Sequence, residues 1–220
     1  MGGAEVLTYM ALGDEEVKRH VRGWLLESPF VAFNAASKPS PFIVFAGRLA
    51  GKLLPHRQMV QKLDPSLLCR DEIVQQDFVN DDLCHDTGTL EGLAAMLDRA
   101  AGLDSGAIAV PADAGEGGKT RVWISHGTED GVCDFKGSER IYKRWEHIED
   151  KELVELTGWL HKCESRNLSV LFSSSLDHVM LIASVVHAEP SPDKESYIES
   201  AAKWILERSG PLDTLVRAKL

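Results

Sequence analysis

A chain of 220 residues can bury a real core, and 44% hydrophobic with 26% charged residues is ordinary globular composition. The formal net charge of −10 speaks against a nucleic-acid partner and against general attraction to anionic membranes. The four cysteines, at 69, 84, 133 and 163, form no C-x-x-C pair and no zinc-spaced Cys/His cluster, so no metal is expected, and the thiols are read as reduced, in a cytosolic-type compartment.

The start, Met1-Gly-Gly-Ala-Glu, has neither the basic flank nor the apolar run of a signal peptide. Residues 4–12 are good helix formers, broken by Gly13-Asp14. Residues 21–33 predict a buried strand that leaves on a loop, and Lys38-Pro-Ser-Pro41 is a clear breaker. From Phe42 to about Leu103 the pattern turns helical. Phe42, Phe45, Leu49 and Leu53 share one face, and Leu90, Leu93, Ala94, Leu97 and Ala101 share another. Residues 104–120 read as a loop. Within it, Gly118-Lys119-Thr120 suggests a phosphate loop and fails as one. The first glycine of that motif falls on Asp113, and the stretch precedes a strand where a phosphate loop follows one.

The stretch Thr120–Asp134 organises the rest. Val122, Trp123 and Ile124 predict a short buried strand, and the turn behind it carries Gly127, Asp130 and Gly131. Spacing alone leaves two readings of Asp130: a helix cap, or a carboxylate offered at the edge of an α/β sheet. A short helix is expected over 138–145, a strand over 152–156, and an amphipathic helix over Tyr197–Arg208. The longest apolar run, Val179–Val186, is far shorter than the ~20 residues of a membrane helix.

Three blocks carry a family resemblance. His126-Gly-Thr-Glu-Asp130-Gly-Val-Cys-Asp134 resembles the acid loop of monoacylglycerol lipases, serine hydrolases of the α/β-hydrolase fold. Met1-Gly-Gly-Ala-Glu-Val-Leu-Thr-Tyr9 is similar to the tail of their G-x-S-M-G-G nucleophile elbow. Gly158-Trp-Leu-His161-Lys162, with His187-Ala-Glu-Pro190 further on, is similar to their G-x-x-H-x-x-H-x-E loop. The resemblance covers roughly residues 1–162 and 187–208. It implies an α/β fold with residues 1–37 as helix and strand of the hydrolase core, 38–103 as a helical cap, and 104–220 as the C-terminal part of the core.

What it implies for chemistry is specific. Asp130 orients the catalytic histidine, His161 is preferred over His187 for that role, and the Met1 nitrogen is an oxyanion donor. Cys133 lies three residues after Asp130 and is more commonly a buried structural thiol. No metal and no cofactor is needed. The nucleophilic serine would sit just before Met1 and is absent from the chain, as is the first half of the family's sheet. About three strands with a bare edge are therefore expected, and a chain inactive as an esterase.

Residues 163–186 interrupt the histidine loop. Removing 163–185 restores the family spacing, so the segment is read as an insertion, a retained intron in one version and an extra hairpin near the site in another. The expected function is hydrolysis of monoacylglycerol, or a similar lipid ester, to fatty acid and glycerol, with transient membrane-surface contact through the cap. Two alternatives stay open: a non-catalytic fragment that binds lipid or protein, and another carboxylesterase or lysophospholipase of the superfamily. The tail Ala218-Lys219-Leu220 is a variant of the peroxisomal address on an otherwise cytoplasmic chain.

Overall fold

A computed structural model describes residues 1–82, 84, 86–161, 174–175, 178–183 and 194–208. Helix α1 (Gly2–Leu12) leads through the short α2 (Glu15–Lys18) to strand β1 (Val21–Glu27). Asp14 accepts the amides of Glu16 and Val17 and starts α2. The next helix, α3 (Pro41–Leu53), has Ser40 as its cap and proline in its first turn, where the missing amide costs nothing. A three-residue hairpin of β2 (Gln58–Val60) and β3 (Thr87–Thr89) encloses α4 (Glu72–Asn80). Thr89 then caps α5 (Leu90–Ser105), which ends on Gly106 at φ +83°.

The second half alternates strand and helix. Strand β4 (Arg121–Gly127) is followed by α6 (Phe135–Arg144), capped by Asp134, and by β5 (Asp150–Leu156). Strands β6 (Ser174–Ser175) and β7 (His178–Ala183) form a tight antiparallel pair, and α7 (Lys194–Arg208) closes the described chain. The main sheet runs β5-β4-β1-β7-β6, parallel throughout except for β6.

Both faces of this sheet are covered, which is why its central strands read as near-continuous apolar runs. Trp24, Leu26, Val122 and Ile124 point to one face, where they meet Leu7 and Met10 of α1, Leu103 of α5 and Ile141 of α6. Leu25 and Trp123 point to the other, against Trp159 and against Tyr197 and Trp204 of α7. The alternation follows from the two-residue period of a strand. Tyr197 also fixes α7 to the strand ends, since its hydroxyl bonds the Glu27 carboxylate and lies 3.2 Å from Ser125 Oγ. Burial and the Glu27 charge push this phenol well above its ordinary range.

Two expectations are corrected. The stretch 42–103 was expected to be helical, but it also holds β2 and β3. Their six residues form no periodic run, so pairing between distant segments decides them. The edge of β1 expected to lie bare is occupied: β7, from inside the 163–186 segment, pairs along Val21–Leu26. An apolar strand buried on both faces leaves a ladder of donors and acceptors, and a β-rich segment within reach satisfies it. The remainder of that segment, His187 and the Ala218-Lys219-Leu220 tail lie outside the described residues.

Trp24 is fully buried and its indole Nε1 donates to Ala114 O at 2.6 Å, fastening the 104–120 loop to β1. Trp24→Phe keeps most of the packing but strands a buried carbonyl. It is expected to cost about 1–3 kcal/mol in urea unfolding with an unchanged slope. An unchanged midpoint would show that the bond is not what holds the loop.

Candidate active site

The site is built where β4 and β5 end. Strand β4 stops at Gly127, and its backbone is pressed against the loop after β5. A Cβ on Gly127 would stand 2.3 Å from Trp159 O, so only glycine fits there. Thr128 N donates to Leu156 O at 3.1 Å, Glu129 N to Trp159 O at 3.0 Å, and Gly158 N to Thr128 Oγ1 at 2.9 Å. Gly158 takes φ +80°, which turns the chain back toward the sheet. These bonds lock the acid loop to the histidine loop.

Asp130 is buried, and each of its oxygens is fully used. Oδ1 accepts the amides of Val132 and Cys133, both at 2.8 Å, which makes a tight Asx turn. Oδ2 lies 2.7 Å from His161 Nδ1 and 3.2 Å from His126 Nε2. Asp134, not Asp130, caps the following helix. Burial alone would raise the Asp130 carboxyl, but the hydrogen bonds from His126 and His161 outweigh it and hold it well below the usual carboxylate range. His161 is 16% exposed at its side chain, and among the described residues nothing bonds its Nε2.

His126 has no role in the sequence reading, although it opens the quoted acid loop. It is fully buried, with Nδ1 2.8 Å from Ser138 Oγ and Nε2 3.3 Å from Cys133 O. A proton on Nε2 serves Asp130 and the Cys133 carbonyl, which leaves Nδ1 to accept from the Ser138 hydroxyl. Ser138, His126 and Asp130 thus repeat the connectivity of a hydrolytic triad, but all three are sealed from solvent. The arrangement clamps the carboxylate. The four-residue spacing of His126 and Asp130 across a glycine was the available signal.

Met1 is exposed, and its carbonyl accepts Ala4 N at 3.0 Å as the start of α1. Gly3 packs on Pro29, just past the end of β1. No described hydrogen bond joins Met1 to Asp130 or His161. Burial, and then the Asp130 charge, push the Cys133 thiol up. Asp130, Cys133 and His161 hold donor atoms within 4.8 Å of one another. A thiol so disfavoured as thiolate, beside a carboxylate whose lone pairs are committed, is a poor metal-binding set.

The model of the Hydrolase_4 family (serine aminopeptidase, S33) matches residues 1–165. The chain belongs to this family. Two solved lipases share its α/β-hydrolase fold. One is a soluble variant of monoglyceride lipase from Saccharomyces cerevisiae, in complex with a substrate analog, at TM-score 0.72 and 18% identity, covering 94% of this chain and 62% of that one. The other is the Paleococcus ferrophilus monoacylglycerol lipase, at TM-score 0.68 and 20% identity, covering 94% and 65%. An uncharacterized abhydrolase domain-containing protein of Dictyostelium discoideum is 27% identical over 189 residues, 86% of this chain and 16% of its own length. The Hydrolase_4 chain therefore spans under two thirds of each of these relatives.

Because Asp130 is held low in the folded state, its contribution to stability is present above the ordinary carboxylate pKa and is lost as pH falls below about 4. In Asp130→Asn the side-chain oxygen still accepts the two amides, but the amide nitrogen cannot accept from either imidazole. The variant is expected to be about 1–3 kcal/mol less stable at pH 6. The gap should narrow as pH falls below 4, measured by urea unfolding across pH. A gap that does not depend on pH would mean the charge is not what the two histidines hold.

Proposed function

We propose that this chain carries the acid and base of a serine-hydrolase triad, and that its chemistry is hydrolysis of a monoacylglycerol-type ester. The observation that carries the reading is the 2.7 Å bond from His161 Nδ1 to a buried Asp130, with no partner on Nε2 among the described residues. In that role Asp130 fixes the tautomer of His161 and stabilises the imidazolium. His161 Nε2 takes the proton of a serine hydroxyl as it attacks the ester carbonyl, then returns it to the departing glycerol oxygen. Water repeats the cycle on the acyl-enzyme. In that role the Met1 nitrogen is an oxyanion donor, next to the position of the serine in the family motif. In the family motif the serine falls directly before Met1, outside these 220 residues.

The test compares the chain with a form carrying a strand and a Gly-x-Ser turn directly before Met1. Both are exposed to a fluorophosphonate label and to monoacylglycerols, short esters and lysolipids. The chain alone should stay unlabelled. The extended form should take the label and prefer monoacylglycerol, and its Asp130→Asn variant should lose about 10⁴-fold in turnover. Labelling of the chain alone, or turnover indifferent to Asp130, sinks the triad reading. A preference for short esters or lysolipids selects the carboxylesterase or lysophospholipase alternative, and silence of both forms favours a non-catalytic binding fragment.

A lipid substrate also favours contact with a lipid surface. Phe42, Phe45, Leu49 and Leu53 of α3 are all exposed, and Leu54 extends the patch. Residues 28–63 contain five lysines and arginines and no acidic residue, against the −10 of the whole chain. No helix among the described residues is long and apolar enough to cross a membrane. The pattern suits a helix lying in the interface plane. Phe45→Asp with Leu49→Asp is expected to lower sedimentation with phosphatidylcholine–phosphatidylglycerol vesicles about tenfold or more, and unchanged sedimentation counts against this surface.

A further inference from the structure

The acid loop is gripped from outside the sheet. Arg70 belongs to the segment between β2 and α4, far in sequence from either loop of the site. Its Nη2 lies 2.6 Å from Glu129 Oε2, and its Nη1 donates to Gly158 O at 2.9 Å. Leu67, three residues earlier, packs on Gly131, where an added Cβ would stand 2.8 Å from its Cδ2. Leu68 and Cys69 between them are buried. One short segment thus holds the residues immediately before and after Asp130, and the residue three before His161.

We propose that Arg70 is a positioning residue, which carries the placement of the 61–71 segment to the Asp130–His161 hydrogen bond. The geometry suits this better than a role in stability. Arg70 and Glu129 are 49% and 61% exposed at their side chains, and an ion pair that open contributes little to folding. What the guanidinium adds is direction. Its two nitrogens face two different loops at once, and a lysine has a single nitrogen for both. A shift of the 61–71 segment pulls Glu129 and Gly158 together or lets them part, and Asp130 and His161 sit on the same two loops. The inference deepens the triad reading, but the bond can be measured whether or not the chain cleaves esters.

The experiment is NMR on the full chain, following the far-downfield proton on His161 Nδ1, assigned by its loss in His161→Ala. In Arg70→Ala, which loses both bonds, that proton is expected to exchange with water about tenfold faster, equivalent to about 1.4 kcal/mol of easier opening. The melting temperature should stay within about 4 °C of the parent. Arg70→Lys and Glu129→Gln, which each keep part of the grip, should fall between. Unchanged exchange in Arg70→Ala overturns the proposal. So does faster exchange matched by equal acceleration at the amides of α1 and α5, which would make Arg70 a general structural support.

Discussion

A single buried carboxylate sets the terms for the region around the site. Asp130 has no water to solvate it, so each lone pair must find a donor within the protein. It finds two amides of its own turn and two imidazoles from different elements. Each demand constrains something else. The amides force the turn, His126 ties the turn to Ser138 on α6, and His161 draws the loop after β5 against the loop after β4. Gly127 must then be glycine, because the two backbones run in contact there. Orientation of a half-buried histidine is the last consequence of a chain of requirements that begins with solvation.

The sheet beneath is what makes such a node affordable. Trp24, Trp123, Val122 and Ile124 lie under or beside the strand ends and exclude water from both faces. In a dry surrounding, hydrogen bonds to a charged group are stronger, and an unmet one costs more. The parallel arrangement also gathers the carboxyl ends of β1, β4 and β5 on one edge, where Pro29, Asp130 and His161 follow their strands within a few residues. Sites of α/β sheets lie at that edge because every loop leaving it is free to vary while the strands stay fixed.

The arrangement of β7 beside β1 follows a different rule. A central parallel strand with an open side exposes polar groups along an apolar surface, and pairing is the strongest relief on offer. The 163–186 segment contributes a strand there although, read as text, it only interrupts the histidine loop. The same physics that makes an open edge prone to association makes it receptive to a segment of its own chain.

Much of this was legible from residues alone. Period, helix propensity and breaker residues located α1, α3, α5, β4 and β5, because those elements are stabilised by neighbours three or four residues away, or by burial of an unbroken apolar run. The three motif blocks pointed to Asp130 and His161, since a tight turn and a glycine-flanked loop are local devices with local spelling. Nothing local spelled the β2–β3 hairpin, the slot taken by β7, the grip of Arg70 on Glu129 and Gly158, or the bond between Ser138 and His126. Each is a contact between groups that are distant in sequence or sit on different elements. Solvation of one buried charge and completion of one hydrogen-bond ladder select them, and both exist only once the chain has closed on itself.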